Sequence, residues 1–311
     1  MRMGQLHSYL RHEVRGFDFR ADDLAPLAGL DDVQLVCHDT HESLVAGLAE
    51  AEWVITWDFE ADWYARAPGL RGVLTPAAGF DWVADDPTGR VPVHHGAFHG
   101  PMLAESLVGA MLHVNRMMPR VLANEAVRGW DRDFQADGAL LGNQRAVIVG
   151  YGAIGRHCAR LLRAFGMDVL GVQRSRPAGV DDVGAQLVPE ADLADALSRA
   201  HHVVCLLPGV PETDRYFSRD LLANCRGAHF YNFGRGNAVA EADLTAALDQ
   251  GQLASAVLDV TEVEPLPQES GLWTDPRVLV MPHSSCIYRE YRPLYVVELM
   301  ELLPRLMESG D

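Results

Sequence analysis

Ala146-Val147-Ile148-Val149-Gly150-Tyr151-Gly152-Ala153-Ile154-Gly155 decides how this chain of 311 residues is read. Four consecutive apolar residues suit a short strand buried on both faces. A G-x-G-x-x-G follows at once, and the pattern over 153–165 predicts a helix directly after it. Between a strand and a helix each glycine has a task. Gly150 permits the tight turn, Gly152 leaves room for a pyrophosphate against the backbone, and Gly155 lets the helix approach the sheet. The N–H groups at the helix start, those of Ala153 and Ile154 among them, then face the phosphates of a dinucleotide.

The same rhythm continues outward. Apolar runs at 168–172, 202–207, 228–232, 254–260 and 277–281 predict five more strands after 146–150. Helical patterns fill 190–200, 218–225 and 241–250 between them, and six strands in this order predict one doubly wound parallel sheet. Upstream, 34–38, 53–57 and 71–75 predict the strands of a smaller α/β unit. One long amphipathic helix is expected over 102–128. A last helix is expected over 289–308, interrupted near Pro293 and Pro304.

The second strand should end on the residue that reads the adenosine ribose. An acidic residue there accepts from the 2′-hydroxyl of NAD. This chain has Gln173-Arg174-Ser175-Arg176, and Asp168 sits at the wrong end of the strand. Two guanidiniums and a hydroxyl at Arg174, Ser175 and Arg176 suit a 2′-phosphate, since Arg pairs with phosphate oxygens through charge-assisted hydrogen bonds. The expectation is NADP(H), with NAD possible.

Composition narrows the alternatives. The net charge is −17, and all 26 basic residues are arginine. Without a basic run, the chain is a poor match for nucleic acid. No stretch approaches the apolar length needed to span a bilayer, and the first residues lack the apolar core of a secretory signal. The five cysteines, Cys37, Cys158, Cys205, Cys225 and Cys286, show no metal-ligand spacing and read as reduced thiols of a cytoplasmic protein. No metal site is expected.

Three segments at the C-terminal ends of predicted strands carry chemistry: Asn232-Phe233-Gly234-Arg235-Gly236, then Leu258-Asp259-Val260 with Glu264-Pro265-Leu266-Pro267, then Met281-Pro282-His283-Ser284. Open α/β sheets bind their ligands at that edge. Preceded by the glycine turn and by an L-P-x-x-x-E-T from Leu207 to Thr213, this order resembles the D-isomer-specific 2-hydroxyacid dehydrogenase family. The resemblance covers about 100–290 strongly and extends more weakly through Ala77-Ala78-Gly79-Phe80-Asp81. The layout is most similar to the glyoxylate/hydroxypyruvate reductase branch.

The resemblance implies reduction of small 2-oxo acids to 2-hydroxy acids, with hydride going to the carbonyl carbon and a proton to its oxygen. His283 would donate the proton, because imidazole titrates near neutral pH. Glu264 would pair with it, favouring imidazolium and fixing the ring. Arg235 would hold the substrate carboxylate and lean on the carbonyl oxygen. It also implies that N–H groups of Ala78 and Gly79 meet the substrate carboxylate, that Asp259 holds the nicotinamide carboxamide, and that Leu207, Pro208, Thr213 and Phe233 flank the cofactor. Trp57, ending a predicted strand, is a candidate wall of the substrate pocket.

The expected class is α/β with two Rossmann-like domains. A doubly wound cofactor domain, 101–283, is inserted in a smaller flavodoxin-like substrate domain, 1–100 plus 284–311, with the active site in the cleft between them and a homodimer formed through 102–142. Two other functions fit the motifs: another family activity on phosphoglycerate or phosphite, or a dinucleotide-sensing corepressor, which the intact Arg235, Glu264 and His283 do not exclude.

Overall fold

The computed structural model describes residues 4–31, 33–174 and 178–308. The chain divides into two compact units, Met1–His99 with Ile287–Asp311, and Gly100–Cys286.

In the larger unit the strands are β6 (Arg145–Val149), β7 (Asp168–Val172), β8 (Gly179–Val180), β9 (Gln186–Val188), β10 (His202–Cys205), β11 (Ala228–Asn232), β12 (Leu253–Leu258) and β13 (Val278–Val280). Strands β1 to β5 belong to the smaller unit. The sheet order is β13-β12-β11-β10-β6-β7-β9-β8. All neighbours are parallel except β8 and β9. From β6 the chain steps outward to β7, then returns to the other side at β10, so the strand order reverses beside β6. A crevice at such a reversal is where this architecture binds ligands.

Strand alternation divides the core. Val147 and Val149 face one apolar layer with Val203, Cys205 and Phe230, covered by the helices Leu193–Ser198 and Glu241–Asp249. Ala146 and Ile148 face the opposite layer with Val204, Tyr231 and Val257, covered by the helices Gly100–Asn115 and Ala153–Ala164. Successive side chains on a strand point to opposite faces. The uninterrupted apolar runs therefore supply both layers at once.

The smaller unit holds β1 (Gly4–Tyr9), β2 (Val33–Cys37), β3 (Trp53–Thr56), β4 (Gly72–Thr75) and β5 (Val93–His95), parallel in the order β2-β1-β3-β4-β5. Leu44, Leu48, Val54, Phe59, Trp63 and Val73 form its core.

Several sequence expectations need correction. Among the described residues the larger sheet has eight strands rather than six, because the short β8 and β9 extend one edge. The run at 202–207 is a strand only to Cys205. Leu206 and Leu207 leave it to lie against Gly150, where a Cβ would fall 2.6 Å from the Leu206 carbonyl. The helix expected over 102–128 is two, Gly100–Asn115 and Met118–Ala126. Pro119 sits in the first turn of the second, where its missing N–H costs nothing, and Met117 before it turns left-handed at φ +54°. The last helix runs unbroken over Tyr291–Glu308 with Pro304 inside it. Leu299 and Leu303, fully buried, hold down the turn that leads into Pro304. Among the described residues no helix is long and apolar enough to cross a membrane.

Candidate active site

Three consecutive strand ends build the site. After β11 the chain turns through Phe233–Gly236, and buried Asn232 shapes the turn. Its Oδ1 accepts from Gly234 N at 3.2 Å, and its amide donates to the Arg235 carbonyl at 3.0 Å. The glycines let this turn wedge between neighbours. A Cβ on Gly234 would fall 2.5 Å from the Leu207 carbonyl oxygen, and one on Gly236 would fall 1.8 Å from that of Thr261. Arg235 is held half-buried between them, its stem lying over Gly209.

After β12, Thr261 folds the next loop back on itself. Its N–H donates to Glu264 Oε1 at 3.1 Å, and its hydroxyl donates to the Val263 carbonyl at 2.8 Å. After β13, the His283 N–H donates to the Asp259 carbonyl at 2.8 Å. The buried Asp259 carboxylate accepts from Ser284 N at 2.7 Å and Ser285 N at 3.0 Å. His283 is thereby set in a left-handed conformation, φ +48°, which a non-glycine residue rarely adopts without support.

These turns bring Glu264 and His283 together. Imidazole Nδ1 lies 2.8 Å from Glu264 Oε2. An ionised carboxylate only accepts, so Nδ1 carries the proton of this bond and Nε2 is left for another partner. The hydrogen bond and negative charge of Glu264 raise the His283 pKa above 6.5 against the opposing effects of burial and of Arg235. Burial alone would push Glu264 up, but His283, Thr261 N–H and Arg235 together hold it below its ordinary 4.5. The pair is biased toward imidazolium and carboxylate, an arrangement that can donate a proton near neutral pH.

At the crevice beside β6, Gly150 has φ +89°. A Cβ on Gly152 would meet nothing within 4 Å, whereas one on Gly155 would press on the Tyr151 ring at 3.3 Å. The helix Ala153–Ala164 begins here with no side chain capping it. Open space over Gly152 and uncapped first-turn N–H groups, those of Ala153 and Ile154 included, fit a pyrophosphate. Beyond β7, Gln173 Oε1 is shut from solvent with no hydrogen-bond partner among the described residues, and Arg174 is exposed next to it. An unmatched acceptor beside a guanidinium fits the ribose end of a dinucleotide. Ser175 and Arg176 lie outside the described residues.

Other expected contacts are placed differently from one another. Phe233 is buried in the layer of Ala146 and Ile148, and Leu207 in that of Val147 and Val149. The Thr213 hydroxyl is spent inside its own loop, donating to the Pro208 carbonyl at 2.5 Å. In the smaller unit, Trp57 is 7% exposed, ringed by His12, Phe17, Phe19, Trp82 and Tyr291. Its indole N–H has no partner among the described residues. The loop after β4 is tied down by Ala77 N to the Thr75 hydroxyl at 3.3 Å and by Gly96 N to the Ala77 carbonyl at 3.1 Å. No group of three His, Cys, Asp or Glu among the described residues is arranged to hold a metal ion.

Residues 108–285, more than half of the chain, match the family described as D-isomer specific 2-hydroxyacid dehydrogenase, NAD binding domain. The chain belongs to the D-isomer specific 2-hydroxyacid dehydrogenase family. Among its curated relatives, glyoxylate/hydroxypyruvate reductase A of Serratia proteamaculans is 32% identical over 247 residues, covering 76% of this chain and 77% of the relative. The protein of the same name from Klebsiella pneumoniae is 29% identical over 82% of this chain and 83% of its own. A family member from Xanthobacter autotrophicus, solved with NADPH and MES, superposes with a TM-score of 0.81 at 27% identity, over 99% of this chain and 96% of that one. An NADPH-dependent glyoxylate/hydroxypyruvate reductase from Sinorhizobium meliloti, solved with NADP and sulfate, gives 0.79 at 27% identity with the same coverage. As a member of this family the chain is an oxidoreductase with a Rossmann cofactor domain.

Sequence reasoning missed the residues that position these groups. Asn232 and Thr261 shape the two turns, and Ser284 and Ser285 give Asp259 its N–H donors. The first two had signals: an Asx residue two before a glycine, and a Thr three before a Glu.

Proposed function

We propose that this dehydrogenase reduces small 2-oxo acids, glyoxylate and hydroxypyruvate foremost, with NADPH as the preferred reductant. The 2.8 Å contact between His283 Nδ1 and Glu264 Oε2, on loops adjoining that of Arg235, carries this reading. NADPH, when bound, supplies the hydride for the carbonyl carbon. Arg235 binds the substrate carboxylate through paired N–H groups and stabilises negative charge growing on the carbonyl oxygen. His283 gives its Nε2 proton to that oxygen, and the resulting neutral ring stays oriented by Glu264. In the smaller unit the proposal assigns carboxylate-binding N–H groups to Ala78 and Gly79, and an apolar wall to Trp57.

Gly150, Gly152, Ala153, Ile154 and Gly155 would seat the pyrophosphate, and Arg174 with Ser175 and Arg176 the 2′-phosphate. Asp259, with one carboxylate oxygen lightly used, would take the carboxamide. Cytoplasmic location is part of the same reading, supported by five cysteines that form no disulfide. So is a homodimer. Leu122, Val127, Trp130 and Leu140 are 51%, 76%, 90% and 69% exposed, apolar side chains that a partner subunit would cover.

The test is NADPH oxidation by the purified chain with glyoxylate, hydroxypyruvate, pyruvate and longer 2-oxo acids. Turnover on the two smallest supports the reading, and silence across the panel overturns it.

A further inference from the structure

Strands β7 and β9 leave the sheet in step. Their last paired residues are Val172 and Val188. Two residues further on, β7 delivers Arg174 and β9 delivers Glu190. Both strands run parallel to β6. A guanidinium and a carboxylate therefore leave from neighbouring strands at the edge that also holds the glycine turn, where this architecture binds its ligands.

Glu190 is held by one oxygen. Tyr216 donates its hydroxyl to Glu190 Oε1 at 2.7 Å. The Tyr216 ring is half-buried against the layer of Val147 and Val149, and it follows the Leu207–Thr213 loop after β10. Burial first, then the hydrogen bond and charge of Glu190, push the Tyr216 pKa up, while the charge of Arg174 draws it down. The hydroxyl thus lies within electrostatic reach of both groups. Glu190 Oε2 accepts no hydrogen bond among the described residues.

A crevice made for a 2′-phosphate alone gains nothing from this carboxylate, which repels the group that Arg174 attracts. The fold does not need it either. The Tyr216 ring keeps its apolar contacts whether or not its hydroxyl has a partner, and Glu190 is exposed. What the pairing does achieve is a carboxylate steadied through Oε1 with Oε2 open. An ionised carboxylate only accepts, and a ribose 2′-hydroxyl is a donor that suits it. An acidic residue at the end of the second strand makes that contact in NAD sites. Here the end of β7 has none, and the acid stands on the next strand.

We propose that Glu190 reads the adenosine 2′-hydroxyl of NADH, accepting its hydrogen bond at Oε2 while Tyr216 holds Oε1. The crevice then takes both coenzymes, NADPH through Arg174 and NADH through Glu190. Glu190 is a specificity-determining residue in contact with the ribose. Tyr216 is a positioning residue that acts through Glu190. Toward NADPH the same carboxylate opposes the 2′-phosphate, so it keeps the preference for NADPH below what Arg174 alone would give. The proposal rests on the assignment of the Gln173–Arg174 end of the crevice to the adenosine ribose.

The test measures Kd by calorimetry for NADPH, NADH and the NADH analogue lacking the adenosine 2′-hydroxyl. The chains are the intact one, Glu190→Ala, Glu190→Gln, Tyr216→Phe and Arg174→Ala. The intact chain is expected to bind NADH about tenfold more tightly than the analogue, the worth of one charge-assisted hydrogen bond. Glu190→Ala should erase that difference by weakening NADH alone, and should tighten NADPH about threefold as the repulsion is lifted. Glu190→Gln keeps an acceptor without the charge, so NADPH should tighten as much while NADH weakens less. Tyr216→Phe keeps the ring and should weaken NADH about threefold, with the analogue unmoved. An intact chain that does not favour NADH over the analogue overturns the proposal. So does a Glu190→Ala chain that still favours it, or one that loses all three nucleotides alike. No 2-oxo acid enters these measurements, so they are independent of the substrate reading. Arg174→Ala reports on the 2′-phosphate: if NADPH binding is unchanged there, that assignment fails, and the analogue still decides the role of Glu190.

Discussion

His283 donates through Nδ1 to Glu264 at 2.8 Å while its own backbone is held left-handed at φ +48°. The side chain is oriented by one strand-end loop and the main chain by another, through Asp259. The imidazole is thus fixed from two sides, with Nε2 the nitrogen left to work.

The first prediction concerns pH. Glu264 raises the His283 pKa above 6.5, so the reductive rate should hold below 6.5 and fall as pH rises through that raised value. Glu264→Gln removes the cause. The alkaline limb of kcat/KM should move to lower pH, with the rate lost first on that limb. Well below 6.5 the two profiles should converge. The pair's effect on stability follows the same signs. The share of His283 is present below 6.5 and fades as pH climbs through its raised pKa, while that of Glu264 is present above 4.5 and fades as pH drops through its lowered one. A parallel loss at every pH would refute the coupling.

Arg235 is expected to tolerate no cationic substitute. Arg235→Lys keeps the charge and loses the planar pair of donors. One charge-assisted hydrogen bond is worth about 2 kcal/mol, so kcat/KM should fall roughly thirtyfold. The melting temperature should barely change, since the guanidinium is not a core element. Steady-state kinetics beside a thermal melt separates the two effects.

Two glycines of the same unit should respond oppositely. Gly152→Ala points a methyl into open space, so folding should survive while affinity for NADPH drops by about tenfold or more, as the methyl meets the pyrophosphate. Gly236→Ala drives a methyl to 1.8 Å from the Thr261 carbonyl and should destabilise the fold by about 2 kcal/mol or more. Cofactor titration and urea unfolding on both variants check the pair. Equal unfolding midpoints would contradict it.

Trp130, 90% exposed, should matter to assembly. In the proposed homodimer, Trp130→Ala is expected to raise the dissociation constant by about tenfold or more, read by sedimentation velocity across a dilution series. A monomeric wild type would end that part of the reading.

The glycine turn and the pairing of Glu264 with His283 were legible in the sequence because each depends on few residues at fixed spacing. Central strands such as Ala146–Val149 were legible for a similar reason: burial on both faces leaves only apolar residues. β1 was not, because its run Gly4–Tyr9 is diluted by His7 and Ser8, which are buried although polar. The helix break at Met117 was hidden by an apolar stripe that continues across it. The Tyr216–Glu190 bond was invisible because it joins the loop after β10 to the end of β9, a strand too short to carry a pattern.

Asp259 spends its carbonyl on His283 and its carboxylate on the two serines that follow. In the proposed reading one residue thus anchors the proton donor and grips the coenzyme ring. Selection cannot adjust that grip by exchanging Asp259 without also releasing the N–H groups of Ser284 and Ser285, which follow His283 in the chain. Adaptation toward other coenzyme chemistry is therefore steered away from this position and toward the far, adenosine side of the crevice, where changes leave the imidazole undisturbed.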